Sequence, residues 1–374
     1  MIQKLEYMTG QIVATYGSDP FQMTRDVLEH IDLKAHLKPD MHIGIKPNLI
    51  LNSPPENGAT THIKIAASLI DYLKTHGMDN ILILEGSWVG DRTDRAYRDL
   101  GWYDLAKKYG VKIVDTKKDA YVDVTVNGNV IEIAKSVTDL DILINLPVLK
   151  GHCQTLITGA LKNLKGLLSD AEKRKFHRRG LHRPIAELNV AIPQSLVIVD
   201  GICGDLDFEE GGNPVPMNRI LCGGDPVLCD SYIAYSMGYE PEQIEHVKIA
   251  SELGVGSMDL NVMELTELNV DRRPRGRFKA GRMVERLGKV VEEDQACSAC
   301  YANLIQALAR LDERVGLKSF KRNPIHIGQG YKGKTGNGLG SGICTAGFDG
   351  CVPGCPPTTR EIIEFLESWL EDQG

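Results

Sequence analysis

Aromatic residues are scarce in this chain: 3 Trp, 7 Phe and 12 Tyr make up 6% of its 374 residues. Sequence-reading nucleic-acid proteins stack bases on aromatic platforms, and a net charge of -7 adds no general affinity for phosphate backbones. No nucleic-acid partner is therefore expected. No apolar run approaches the roughly 20 residues that a membrane helix needs, so no membrane contact is expected either. The opening MIQKLEYMTGQIVATYG lacks a basic stretch followed by an apolar one. Hence no export signal is read, and a reducing, cytoplasmic location is expected. Internal repeats and long low-complexity tracts are also missing. What remains is a globular composition, 42% hydrophobic and 25% charged, with length enough for two cores.

Cysteine is present in ordinary amount but unevenly placed. Five of the nine fall in the last 78 residues of the chain: Cys297 and Cys300 as C-S-A-C, then Cys344, Cys351 and Cys355 near G-F-D-G-C-V-P-G-C-P-P. The other four, Cys153, Cys203, Cys222 and Cys229, read as small core residues. The C-terminal five lie among Gly, Pro, Ser and Asp with no apolar periodicity to bury them, and two separated thiol segments suit a soft metal. A zinc ribbon would repeat the C-x2-C knuckle, whereas the second half here runs C-x6-C-x3-C-P-P, so an iron–sulfur cluster is preferred over zinc. Cys300 is followed by apolar residues at helical spacing (Leu304, Ile305, Leu308, Leu311), and Thr358 with Glu361 forms a capping box for a last helix. Cys297, Cys300, Cys344 and Cys355 are thus expected to hold one [4Fe-4S] cluster, with Cys351 spare.

Between these segments, GQGYKGKT (Gly328 to Thr335) matches a Walker A pattern and, in part, a dinucleotide fingerprint. A phosphate loop must open a helix, but GNGLGSGIC follows, and only 39 residues remain after Thr335. Nucleotide binding is not expected, and the stretch reads as a loop lying near the cluster sulfurs.

Upstream, short apolar runs alternate with amphipathic stretches: HIGIK, NILILEG, VKIVD, DILINLP, SLVIVDG and RILCGG as strands, THIKIAASLIDYLKTHG and PEQIEHVKIASELG as helices. The pattern predicts an α/β fold. In detail it is a doubly wound, mostly parallel sheet domain over residues 1–270, a basic linker or helix over 271–296 containing Arg272 to Arg277, and a small C-terminal iron–sulfur module over 297–374.

Ligands of open α/β sheets sit beyond the carboxyl ends of the strands. Those positions are polar here: Lys46-Pro47-Asn48, Glu85-Gly86-Ser87, Lys150-Gly151-His152 and Asp200. From Leu146 to Pro184 the chain carries nine Lys or Arg against Asp170 and Glu172, a net of +7, together with His152, His177 and His182. Within it TLITGALKNLKGLL reads as one helix, whose Gly159 and Gly166 flank Lys162 on the face opposite the apolar arc. Two mid-helix glycines cost about 1 kcal/mol each against alanine, which implies close approach by another group.

Several of these stretches form a set: K-P-N at Lys46 to Asn48, A-T-T-H at Ala59 to His62, L-P-V-L-K-G-H at Leu146 to His152, G-A-L-K-N-L-K-G at Gly159 to Gly166, V-D-G-I at Val199 to Ile202 and G-G-D-P-V-L-C-D at Gly223 to Asp230. The set resembles the prokaryotic iron–sulfur proteins of domain of unknown function 362. That resemblance implies an α/β domain joined to a cluster module, frequent in anaerobes, and supplies no substrate.

The combined expectation is a [4Fe-4S] enzyme, an oxidoreductase or a hydro-lyase or isomerase, acting on a small carboxylate or phosphate. His152, His177, His182 and Lys162 would be catalytic, and Lys46, Asn48, Glu85, Lys150, Asn163 and Lys165 would bind the substrate. The alternative is a non-catalytic electron carrier whose basic surface docks an acidic partner such as a ferredoxin-type donor. A homo-oligomer is compatible with either.

Overall fold

The computed structural model describes residues 2–275 and 278–372. Of the basic stretch Arg272 to Arg277, Gly276 and Arg277 therefore lie outside the described residues. The chain forms two compact units, one of Met1–Lys173 with His182–Ala280 and the other of Arg174–Leu181 with Gly281–Gly374. Each is considered separately.

The first unit is built on strands β1 (Gln11–Tyr16), β2 (Ile43–Pro47), β3 (Ile81–Glu85), β4 (Lys112–Asp115), the hairpin β5 (Tyr121–Val126) and β6 (Asn129–Ala134), β7 (Ile142–Leu146), the short pair β8 (Gly151–His152) and β9 (Leu156–Ile157), β10 (Leu196–Asp205), β11 (Pro214–Gly223) and β12 (Glu264–Leu268). Eight of them make one sheet in the order β12-β1-β11-β10-β7-β2-β3-β4. All pairings are parallel except those of β11, which runs antiparallel to both β1 and β10. The sheet is therefore mixed.

Its central strands are apolar on both faces, as strands covered on both sides must be. Every residue of β2 (IGIKP) and β7 (ILINL) is buried. Helices α1 (Pro20–His30), α2 (Ile63–Thr75), α3 (Thr93–Asp99), α4 (Trp102–Tyr109), α5 (Gly159–Asn163), α6 (Asp170–Arg178), α7 (His182–Ala191), α8 (Pro226–Ser236) and α9 (Glu245–Glu252) follow in the chain. In α2 the buried set Ile65, Ala66, Leu69, Ile70 and Leu73 repeats at three and four residues, an apolar stripe that packs into the core with Ile43, Ile45 and Ile83. Asp225 caps α8 by accepting from Val227 and Leu228 N–H, and Pro226 occupies the first helical position, where its missing N–H is no loss.

TLITGALKNLKGLL is not the single helix its spacing predicts. Leu156 sits at φ +65° and Gly159 at φ +58°, so the stretch breaks into β9, the short α5 and a 3-10 turn over Leu164–Leu167. The close approach implied by the glycines is made by the protein's own groups. A Cβ on Gly159 would meet Asp230 Oδ1 at 2.2 Å, and one on Gly166 would meet Glu85 Oε1 at 1.9 Å and Lys46 Nζ at 2.6 Å.

The second unit overturns the expected C-terminal iron–sulfur module. It holds α10 (Met283–Leu287), α11 (Ser298–Arg314), α12 (Thr359–Asp372) and a parallel sheet of β13 (Val291–Glu293), β14 (Ile325–Ile327), β15 (Gly336–Ser341) and β16 (Phe348–Val352). Its cysteines are dispersed over this framework. Cys297 is the N-cap of α11 and Cys300 lies in its first turn, Cys344 is in a 3-10 turn, Cys351 is on β16, and Cys355 precedes α12. The capping box is formed, with Glu361 Oε2 accepting from Thr358 N–H at 2.8 Å and Thr358 Oγ1 from Glu361 N–H at 3.2 Å. The Walker-like stretch opens no helix. It makes one 3-10 turn, Gln329–Tyr331, and leads into β15. Its glycines answer to Asp294, whose carbonyl oxygen would lie 2.0 Å from a Cβ on Gly328 and whose carboxylate carbon would lie 2.1 Å from one on Gly330.

Gly166→Ala should lower the stability of the first unit by about 3 kcal/mol or more, since the new methyl would part a buried ion pair. Gly128→Ala, with nothing within 4 Å of the added Cβ, should cost about 1 kcal/mol for its left-handed backbone. Urea unfolding followed by circular dichroism compares them, and equal costs would refute the packing explanation.

Candidate functional site

Four neighbouring parallel strands, β10, β7, β2 and β3, deliver their carboxyl ends to one edge of the sheet. Lys46, in the last turn of the pleat of β2, is fully buried. Its Nζ donates to Glu85 Oε2 at 2.6 Å and to its neighbour's carbonyl, Pro47 O, at 2.7 Å. Glu85, at the end of β3, also accepts from Leu49 and Gly86 N–H. Burial draws the Lys46 ammonium below its ordinary range, and Glu85 opposes that shift. Lys173 is buried against the residues that follow β3, donating to Gly86 O and Ser87 O at 3.0 and 2.7 Å, and burial lowers it to about 8.

Lys150, after β7, has no carboxylate directly on its ammonium group. It donates instead to Asn48 Oδ1 (3.0 Å), Glu209 O (2.8 Å) and Ala59 O. Burial pushes it down to about 7. From Lys150 a relay of buried amides runs in one direction. Asn48 Nδ2 donates to Asn163 Oδ1, Asn163 to Asn145 Oδ1, Asn145 to Gln194 Oε1, Gln194 to Asn189 Oδ1, and Asn189 to Leu161 O, every step between 2.6 and 2.9 Å. Each amide presents its oxygen toward the lysine and its N–H away, so the dipoles add and favour positive charge at Lys150.

The third group is the most reactive in kind. Lys162 Nζ donates to Glu209 Oε2 at 2.8 Å, and His152 Nε2 lies 2.9 Å from the same oxygen. All three residues are at most 7% exposed. His152 Nε2, Glu209 Oε1 and both carboxyl oxygens of Glu210 are buried without a hydrogen bond. Although burial raises Glu209, His152 and Lys162 outweigh it and hold the carboxyl well below its usual range. Burial lowers His152 to about 3, and burial with the charge of Glu209 raises Glu210 to about 8. Lys165, half-buried, adds positive potential that lowers His152 further.

Around this centre, Asp200 Oδ2 accepts from His62 N–H at 2.7 Å and lies 2.9 Å from its Nδ1, while Asp230 accepts from Ala160 and Leu161 N–H and fixes the start of α5. The first unit thus gathers Lys46, Asn48, Glu85, Lys150, His152, Lys162 and Asn163. Lys162 is buried and not solvent-facing as the helical spacing suggested. His182 opens α7 and faces Glu245, with its ring stacked 6.0 Å from His246. His177 belongs to the second unit, where its Nε2 is 3.4 Å from Ser298 N. The reading missed Glu209 and Glu210, which lie in the D-L-D-F-E-E-G-G-N-P connection. Their only sequence signal is an acidic pair set beside Phe208 in a loop between two apolar strands.

The four-cysteine cofactor site is overturned as well. Among the described residues, the one group of three or more His, Cys, Asp or Glu whose donor atoms lie within 4.8 Å of one another is His152, Cys153 and Glu209. Cys297, Cys300, Cys344 and Cys355 form no such group, and iron–sulfur chemistry is not assigned. The His/Cys/Glu group could hold a metal ion only by changing its protonation. His152 Nδ1 accepts from Gln154 and Thr155 N–H at 2.9 and 3.1 Å, which leaves the proton on Nε2, the nitrogen that would have to ligate.

A mixed α/β unit with a buried polar centre at its carboxyl edge is the class of protein that this geometry defines. The model of the domain of unknown function DUF362 matches residues 43–235, and the chain belongs to that family. The thylakoid-associated protein sll1697 of Synechocystis sp. is 24% identical over 267 residues, 68% of this chain and 79% of that protein. Among solved structures, the chain is similar to the lactate racemase apoprotein of Thermoanaerobacterium thermosaccharolyticum (TM-score 0.41, 14% identity, 63% of this chain) and to a Thermotoga maritima protein solved by structural genomics (TM-score 0.35, 13% identity, 64% of this chain). The chain spans 57% and 60% of those two structures, less than two thirds of either. No helix among the described residues is long and apolar enough to cross a membrane.

Removing Glu85 would strand the buried Lys46 ammonium. Glu85→Ala should destabilise the first unit by about 3–5 kcal/mol, as loss of one partner of a buried pair does. A cost under about 1 kcal/mol in urea unfolding would mean that water already reaches Lys46.

Proposed function

We propose that the protein is an enzyme that binds a small anionic metabolite, a carboxylate or phosphate, at the Lys162–His152–Glu209 centre and acts on it by acid–base chemistry. One observation carries the reading. Four polar atoms, His152 Nε2 and Glu209 Oε1 beside the carboxylate oxygen that Lys162 holds, and both carboxyl oxygens of the adjoining Glu210, are buried without a hydrogen bond. Such atoms cost roughly 1–3 kcal/mol each when left unpaired, and a fold kept for stability alone would pair them or replace them. Lys162 supplies the charge that attracts an anion. Glu209 and Glu210 supply groups able to give or take protons at its reacting atoms, and His152 supplies a hydrogen bond there. Lys46 and Lys150, whose hydrogen bonds are directed at protein oxygens, hold the surrounding loops and extend the positive field. The electron-carrier alternative rested on the four-cysteine cluster and goes with it.

The test is thermal denaturation with millimolar acetate, malate, pyruvate or inorganic phosphate, at constant ionic strength. At least one should raise the melting temperature of the wild-type protein by several degrees, and Lys162→Met should abolish that shift while still folding. No shift with any of these anions, or an undiminished shift in Lys162→Met, would refute the site.

A further inference from the structure

We propose that His152 works as a permanently neutral imidazole that donates a hydrogen bond from Nε2 to an oxygen of the bound metabolite, with Lys162 as the second donor to that position. The inference deepens the reading of the same site and rests on it for the identity of the acceptor.

The hairpin that carries the ring fixes its chemistry. Residues 153–155 turn between β8 and β9, and the N–H groups of Gln154 and Thr155 both point at His152 Nδ1, 2.9 and 3.1 Å away. A nitrogen that receives two N–H donors cannot carry a proton of its own. The ring therefore has its single hydrogen on Nε2, and the imidazolium form would set one N–H against two others. Closing so tight a turn forces Leu156 to φ +65°, a conformation costly for a bulky residue and held only where the surroundings impose it. The turn is held by Thr155 Oγ1, which donates to Ile157 O at 2.9 Å.

The donor is also unspent. His152 Nε2 is buried and makes no hydrogen bond, although Glu209 Oε2 is 2.9 Å away, because the approach is off the N–H direction. Lys162 Nζ reaches that same carboxylate oxygen at 2.8 Å. Lys162 is thus engaged with this carboxylate oxygen while the His152 N–H beside it is not, and a substrate oxygen bound next to Glu209 Oε2, within reach of both, would receive both donors. A neutral imidazole donor stabilises an oxygen that gains negative charge without giving its proton away, the pattern of a pre-set electrophile. The facing charged groups are Glu209, Lys162 and Lys165. The burial that lowers His152 to about 3 acts in the same sense as the backbone donors.

Nitrogen-15 NMR of histidine-labelled full-length protein tests the inference directly. The His152 signals are assigned by their loss in His152→Gln and, independently, by correlation from the residue's own backbone amide. The expected result is a neutral ring with its proton on Nε2, unchanged from pH 5 to 8, whose Nε2–H signal moves when the anion that raises the melting temperature is added. A proton on Nδ1, a charged ring anywhere in that range, or an Nε2–H signal indifferent to that anion would overturn it. Failure of the anion site itself reads differently, as no thermal shift with any of the four anions while the ring still shows the Nε2–H form.

Discussion

A buried ammonium group needs up to three acceptors, and at this sheet edge four lysines impose that demand on the chain around them. Lys46 draws in Glu85 and the carbonyl of Pro47, Lys150 gathers Asn48, Ala59 and Glu209, Lys162 fixes Glu209, and Lys173 takes Gly86 and Ser87. The loops after β2, β3 and β7 cannot move independently once these bonds are made. Gly166 is part of the same constraint, since only a residue without a side chain can lie against the Lys46–Glu85 pair. The amide relay from Asn48 to Asn189 carries the order inward, tying the edge to α5 and α7 through hydrogen bonds that a one-residue shift would break.

Against this saturated frame, the unsatisfied atoms stand out. Every donor of Lys150 has an oxygen, yet Glu209 Oε1, both oxygens of Glu210 and His152 Nε2, in the same neighbourhood, have none. Polar atoms left unpaired inside an otherwise well-paired cluster are best explained by something the protein binds. The contrast between the two kinds of residue separates scaffold from chemistry.

Much of the scaffold was legible because parallel strands bring their carboxyl ends together whatever the loops do. Lys46, Asn48, Glu85 and Lys150 could be picked from the residues that follow apolar runs. Lys162 was found for its glycine neighbours but placed on the wrong side, because periodicity cannot foresee a left-handed Leu156 that breaks the helix. Glu209 was out of reach: it meets Lys162 across 47 positions of sequence, in a loop that looks solvated. Cys153 looked like core, and is buried as core is, but beside His152 and Glu209. His177 belongs to the second unit, into which the chain passes within α6. In that unit the local reading of Cys297 at a helix start and of the Thr358–Glu361 box was right, whereas a ligand set drawn from four distant cysteines is a non-local property, and spacing alone did not determine it.

The account turns on whether the unpaired acids are kept for a ligand or for the fold. Glu210→Met, which replaces a buried carboxyl with an apolar side chain of similar length, measures this in one urea titration. If the carboxyl serves a bound molecule, its removal relieves a desolvated polar group, and the unfolding midpoint of the free protein should rise. A midpoint lowered by an amount equivalent to about 1 kcal/mol or more, the worth of a made hydrogen bond, would show that Glu210 supports the fold and would contradict the account.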